Sequence, residues 1–319
     1  MKINPYLKLD RIEFVMTRQC TGRCKHCSAA DSVDNKTRSC VAWEQGAKAI
    51  EWLARHYPIQ SMMTFGGEPL LYWEAACALH QTAKEQGIPL RQMITNGYFT
   101  KSEDRIDQAA RAMAGLVTDT LVSVDAFHQE VVNGREVIPL HYVRLLVEKL
   151  LAYGAGRVRL SPAWVVNREH SNPWNERTKE ILGSLADLRL EVASGNDIFL
   201  AGNAQRYLSQ YYPASGQPDL SVRCGEAPYT DRLDQISSLS IEPDGSVTAC
   251  AFVIGNIYRE SMEAIVERYD PYTHPYMSAL LSGGVAELMT RCENLPDLED
   301  CSTACSICHR ISRSLSSVR

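Results

Sequence analysis

A chain of 319 residues with 45% apolar and 22% charged residues has the balance of a globular protein, one large domain or a domain plus an extension, and excludes extended disorder. Its 33 Lys+Arg against 38 Asp+Glu leave a formal charge of -5, which argues against non-specific binding to nucleic acid or to an anionic membrane. No apolar run approaches the roughly 18 residues of a membrane span, and the opening MKINPYLKLDRIEF lacks a signal's apolar stretch, so a cytoplasmic location is expected.

In chain order, RIEFVMT (11–17) reads as a strand that runs into a cysteine-bearing loop. AWEQGAKAIEWLARHY (42–57) has apolar residues at helical spacing, and QSMMTF (60–65) is a buried strand ended by Gly66-Gly67. Pro69 opens the helix LLYWEAACALHQTAKEQ, because proline is tolerated in a first turn. LRQMIT (90–95) is a strand stopped by Asn96-Gly97, and a helix follows near 102–115. LVSVD (121–125) precedes the helix LHYVRLLVEKLLAY (140–153). RVRLSPAWVV (157–166) and LRLEVA (188–193) complete six strand-like segments separated by five helical ones. This alternation predicts a parallel sheet with crossover helices, whose strand C-terminal ends form the active face. From about residue 215 the pattern changes. SSLSIEPDGSVTACAF (237–252) reads as a hairpin around Pro243-Asp244-Gly245, followed by helices near 261–268 and 276–290. A domain of residues 1–215 and an extension of 216–319 built around a metal are expected.

The chain has 11 cysteines, and in a reducing compartment grouped cysteines point to metal or redox chemistry. Cys20, Cys24 and Cys27 supply three thiolates from one loop after the first strand. A [4Fe–4S] cluster has four irons, so three cysteines leave one open to another ligand. Zinc, with His26 as an extra ligand, is the alternative for this spacing. Six more cysteines lie at 224, 250, 292, 301, 305 and 308; Cys40 and Cys77 stand apart, and Cys77 reads as a small buried apolar residue.

Cys20-Thr-Gly-Arg-Cys24-Lys-His-Cys27 after the first strand, Gly66-Gly67-Glu68-Pro69 after the second and Thr95-Asn96-Gly97 after the third together resemble the radical SAM enzymes. The resemblance covers roughly residues 10–200. It implies a partial (β/α)6 barrel in which a [4Fe–4S] cluster and S-adenosylmethionine (SAM) generate a 5′-deoxyadenosyl radical that abstracts a hydrogen atom from a substrate carbon. Cys20, Cys24 and Cys27 are then the cluster ligands and the catalytic centre. Gly66 and Gly67 allow close approach of the methionyl end, and Glu68, with Pro69 beside it, receives the SAM amino group. Asn96 and Ser123 resemble residues that touch SAM's ribose or carboxylate, and His26 occupies a position near adenine. Asn203, within Gly202-Asn203-Ala204, is a candidate for holding adenosine. Asp125 and His128 end the fourth strand as candidates for binding substrate or moving a proton, against the alternative of a capped turn. Arg159 and Trp164 on the fifth strand are further candidates.

The C-terminal cysteines are similar to the twitch and SPASM extensions of these enzymes. The resemblance implies one auxiliary [4Fe–4S] cluster on Cys224, Cys250, Cys305 and Cys308, with Cys292 and Cys301 in reserve. A zinc site at Cys301, Cys305, Cys308 and His309 is the alternative. The implied activity is modification of a peptide, as in ribosomal peptide maturation, or of a natural-product intermediate, with electrons from a reductant such as flavodoxin or ferredoxin. A small-molecule dehydrogenase or epimerase, a non-enzymatic iron–sulfur redox protein and a zinc-dependent regulator are the competing readings. No nucleic-acid or membrane partner is expected.

Overall fold

The computed structural model describes residues 4–212, 218–226, 230–299, 301 and 303–316. The expected domain boundary at 215–216 lies outside the described residues.

Four parallel strands come first: β1 (Leu7–Val15), β2 (Ser61–Phe65), β3 (Leu90–Thr95) and β4 (Asp119–Ser123). Between and after them run α1 (Trp43–His56), α2 (Trp73–Glu85) and α3 (Glu103–Met113). A short hairpin, β5 (Val131–Val132) and β6 (Arg135–Glu136), precedes α4 (Leu140–Ala152) and β7 (Arg157–Ser161). The helices form because their apolar residues share a stripe. Gly46, Ala47, Ala49, Ile50 and Leu53 are the buried positions of α1, and Ile106, Ala109, Ala110 and Met113 those of α3. In α4 they are Val143, Leu146, Val147 and Leu150. Ser102 caps α3 by accepting from the Arg105 N–H.

The run 157–166 is not one strand. Pro162 has no N–H for the ladder, and the chain leaves the main sheet there. The residues beyond it, β8 (Ala163–Trp164), pair in parallel with β10 (Asn196–Asp197) in a separate two-stranded sheet. Between them lie α5 (Pro173–Ser184), capped by Asn172, and β9 (Glu191–Val192), to which the expected strand 188–193 shrinks. A short helix, α6 (Asn203–Leu208), follows.

β1, β2, β3, β4, β7 and β9 form the predicted six-stranded parallel run, with crossover helices packed in succession. The C-terminal part does not stand apart from it. The predicted hairpin, β11 (Ile236–Ile241) and β12 (Ser246–Ala249), continues into β13 (Phe252–Asn256), and β11 pairs in parallel with β1. The result is one nine-stranded sheet in the order β13-β12-β11-β1-β2-β3-β4-β7-β9. Three helices complete the chain: α7 (Met262–Arg268), α8 (Pro275–Thr290) and α9 (Ala304–Ser316). One apolar core runs from Leu7 through Leu239, Ile265 and Leu288 to Ile311, so the extension shares the core of the barrel half. A smaller cluster joins Cys24, Phe127, Ala204 and Leu208 beneath the cysteine loop. No described helix is long and apolar enough to cross a membrane.

Candidate functional site

The C-terminal ends of β1 to β4 open onto an open cavity of about 2680 Å³ whose far wall is β13, α8 and α9. Cys20, Cys24, Cys27, His26, Gly66, Gly67, Asn96, Ser123, His128 and Asn203 all line it, as do Cys250 and Cys292 from the extension. Glu68, Pro69 and Asp125 stand behind this wall and are fully or nearly fully buried.

The loop of three cysteines is fixed from several sides. The Gly67 N–H donates to Thr17 O at 2.8 Å and the Glu68 N–H to Gln19 O at 2.7 Å. A Cβ on Gly67 would lie 1.8 Å from Gln19 O, and Gly66 has φ +128, so both glycines are required where the second strand end meets the loop. The Cys20 N–H donates to Asn35 Oδ1 at 2.9 Å. Asn96 Nδ2 donates to Thr21 Oγ1 at 3.1 Å and lies 3.8 Å from Cys20 Sγ. Asn203 donates from its main-chain N to Cys27 O at 3.0 Å and from Nδ2 to Cys24 O at 3.1 Å.

Glu68 is wholly enclosed. Its Oε1 accepts from Leu70 N (2.9 Å) and Thr95 Oγ1 (2.6 Å), and its Oε2 from Asn96 N (2.8 Å). Burial pushes its carboxyl up to about 7 against these hydrogen bonds. Asp125 is similarly engaged. Oδ1 accepts from Phe127 N (3.0 Å) and His128 N (2.9 Å), and Oδ2 lies 2.9 Å from His128 Nδ1. Burial works to raise the Asp125 pKa, but His128 and His26 outweigh it and hold it low. At His128 burial works to lower the pKa, but Asp125 and Cys24 together outweigh it and raise that imidazole's pKa well above its ordinary value. Asp125 thus caps its turn and orients His128, the member of the pair that reaches the cavity.

His26 packs against Phe127 and His128 at centroid distances of 5.0 and 4.9 Å, and its buried Nδ1 has no hydrogen-bond partner among the described residues. Burial lowers its pKa to about 4. Ser123 ends β4 opposite Ser161. Arg159 and Trp164 are turned to structure: Arg159 pairs with Asp119, and Trp164 is buried with its indole N–H donating to Ser194 O at 2.8 Å.

The three thiols suit a metal cluster. Burial, helped by the charge of Glu68, pushes the Cys20 thiol up to about 12, and burial raises Cys27 as well. Thiols so placed become thiolates when a cation compensates them, which is what cluster binding supplies. Cys24, His26 and His128 also offer ligand atoms within 4.8 Å of one another.

The second group of cysteines is assembled by the extension. Cys250 follows β12 at φ +52, and Cys305 and Cys308 sit three apart on α9, hence on one face. Cys224 lies within hydrogen-bonding reach of Cys250, and with burial and the neighbouring Cys308 and Cys305 this drives its pKa far up. Cys250, receiving that hydrogen bond, is held near about 7 despite burial. Burial raises Cys305 and Cys308, with Cys250 adding to both. Cys292 is shifted by burial alone, and its thiol donates to Leu288 O at 3.4 Å. The four cysteines expected as ligands therefore share one electrostatic neighbourhood that Cys292 does not join.

Sequence reasoning missed Asn35 and the part played by Thr95. Asn35 lies in a loop without periodicity and carries no local signal; Thr95 stood inside the quoted Thr95-Asn96-Gly97 element.

The family model of the radical SAM superfamily matches residues 14–157, and that of the SPASM iron–sulfur cluster-binding domain matches residues 235–306. None of the curated proteins matches the chain. Among solved structures, native anSMEcpe with bound AdoMet is 13% identical over 86% of this chain and 84% of its own, with a TM-score of 0.50, a likeness of fold. BtrN in complex with AdoMet and 2-DOIA is 15% identical over 93% of this chain and 97% of its own, with a TM-score of 0.45. The FeFe-hydrogenase maturase HydG from Carboxydothermus hydrogenoformans is 12% identical over 98% of this chain and 82% of its own, with a TM-score of 0.40. With three thiols at the head of a parallel sheet and a second cysteine group in the extension, the chain belongs to the radical SAM superfamily, carries a SPASM-type domain, and takes SAM and [4Fe–4S] clusters, an auxiliary one among them.

Proposed function

We propose that the protein abstracts a hydrogen atom from a carbon of a peptide, as in ribosomal peptide maturation, or of a natural-product intermediate. When bound, the first cluster and SAM supply the reductive cleavage that yields the 5′-deoxyadenosyl radical, with electrons from a flavodoxin- or ferredoxin-type donor. Cys20, Cys24 and Cys27 hold that cluster. Gly66, Gly67, Asn96, Ser123 and His26 form the SAM pocket, which Glu68 and Pro69 shape from behind, while Asn203 lines the same cavity and holds the cysteine loop. His26 supports this assignment, because its buried ring nitrogen has no hydrogen-bond partner among the described residues and so suits a polar group brought by a ligand. His128, held by Asp125, faces the cavity to bind substrate or move a proton. Cys224, Cys250, Cys305 and Cys308 hold the auxiliary cluster.

The observation that favours a peptide is the size of the cavity. At about 2680 Å³ it exceeds the roughly 300–1,000 Å³ of an ordinary small-molecule pocket, leaving room beyond the cofactors for a chain. The test is anaerobic reconstitution with a reductant and SAM, followed by incubation with peptide and small-molecule fractions of cells grown in deuterated medium. Deuterium should enter 5′-deoxyadenosine with the peptide fraction. Enrichment from the small-molecule fraction alone would assign the other substrate class. Replacing Cys20, Cys24 and Cys27 with Ala should remove about half of some eight irons and abolish cleavage; retained cleavage would overturn the reading.

A further inference from the structure

The loop that carries the three cysteines has little regular structure of its own, only a single turn of 3₁₀ helix at Ala30–Ser32. Its Cys20 end is tied to nearby groups, Asn35 and Asn96. Its Cys24–Cys27 end is tied from a segment 179 positions away in sequence. There Asn203 makes two bonds to two successive ligand residues, from its backbone to Cys27 O and from its amide to Cys24 O. The amide's oxygen faces Arg206, whose guanidinium also pairs with Asp31 of the loop at 2.7 Å. Ala204 and Leu208 pack in the same buried cluster as Cys24.

Gly202 makes this approach possible. Its φ is +56, and a Cβ there would lie 2.7 Å from Ser28 O and 2.9 Å from Cys27 O. A side chain at 202 is excluded both by backbone conformation and by the carbonyls of the loop. Two observations, the paired hydrogen bonds to Cys24 and Cys27 and the side-chain-free contact with Cys27 and Ser28, thus converge on the same end of the loop.

We propose that Gly202 and Asn203 form a clasp that holds Cys24 and Cys27 in the geometry receiving the first cluster, with Asn203 a positioning residue rather than a contact to SAM. This rests on the reading that Cys20, Cys24 and Cys27 hold that cluster. Without the clasp, the Cys24 and Cys27 carbonyls keep only the short-range bonds from Cys27 N and Ala30 N, which close a turn but do not anchor it to the barrel. The thiolates then lose the preorganisation that outer groups give to metal ligands.

The test uses the full chain, anaerobically reconstituted, as wild type, Asn203→Asp and Gly202→Ala. Asp keeps the shape of Asn but removes the donor to Cys24 O. The readouts are iron released to a chelator over time and the electron paramagnetic resonance change on adding SAM, which marks the first cluster. The auxiliary cluster is the internal control. Both variants should lose the SAM-responsive half of the iron roughly fivefold faster, the scale of one amide–carbonyl bond, with the auxiliary half released at the wild-type rate. Release of both halves together would mean a general loss of structure and would overturn the clasp. Unchanged release with weakened SAM binding in Asn203→Asp would overturn it in favour of a SAM contact. If the wild type shows no SAM-responsive cluster, the reading beneath the proposal fails along with it.

Discussion

Single buried polar groups set much of this protein's behaviour. His80 on α2 is wholly buried, with Nε2 2.9 Å from Thr64 Oγ1 and with no partner for Nδ1 among the described residues. Burial lowers its pKa to about 3, with Arg91 adding to the effect. Folded His80 therefore stays neutral where an unfolded histidine, of pKa about 6.5, takes a proton. Above that value neither state is charged and nothing is lost; as pH falls through it the unfolded state binds the extra proton, and stability declines down to about 3. The expected loss between pH 7 and pH 5 is about 2 kcal/mol from this residue. Urea titrations should show that component absent in His80→Gln. Glu68 has a different sensitivity. Its two oxygens accept three hydrogen bonds in a sealed site, so Glu68→Gln must turn an amide N–H toward another donor. The variant should lose about 1–3 kcal/mol of unfolding free energy, read by denaturant titration.

At the scale of elements, α8 is two helices in one. Gly284 sits at φ +69 inside it, and a Cβ there would meet Ser221 O at 2.6 Å. The break lets residues 220–222 lie against the helix, where Ala286 N donates to Leu220 O, and this places the segment leading to Cys224. Gly284→Ala should cost about 1–3 kcal/mol in a denaturant titration and lower the auxiliary iron, because strain and clash fall on the path to Cys224, which we propose as a ligand. The sequence announced α8 by its apolar run but gave no hint of the break, since an isolated glycine in a helical pattern has several meanings. Other elements show the same division. β3 was legible to the residue because LRQMIT ends at Asn96-Gly97, a local stop. The run 157–166 was not, because Pro162 diverts it into a partner strand 33 positions on whose two residues carry no period of their own. The three thiols stood out by their spacing, and the two glycines through the resemblance they carry, whereas their close fit against Thr17 and Gln19 had no signal of its own. Asn35 was not legible, since it lies in a loop without periodicity, and Asn203 was legible only as a candidate for holding adenosine, because a hydrogen bond between segments far apart leaves no pattern in either.

For the whole molecule, the first three cysteines and, from the second group, Cys250 and Cys292 face one cavity, while the two halves of the chain share one sheet and one core. Cys305 and Cys308 both lie on α9, whose Arg313 reaches Ser32 of the first cysteine loop. Replacing both with Ala should remove about half of the iron and expose α9 to hydrogen exchange, since metal binding contributes folding free energy. SAM cleavage should survive in part, because the barrel half keeps its own strands. Cleavage lost as completely as in the Cys20, Cys24 and Cys27 variant would show the two sites to be inseparable.

The pairing of β1 with β11 bears on how the chain is made. β1 is synthesised first among the strands, yet one of its two edges is completed only by a strand that follows the entire parallel run. During synthesis that edge carries unpaired backbone donors and acceptors beside Ile12 and Phe14, a template for wrong partners. The nascent barrel half should therefore bind chaperones and precipitate when expressed without residues 236–241, and adding the missing strand in trans should restore its solubility. A sheet whose first strand waits for one of its last folds late as a whole, and its yield depends on how long that edge waits.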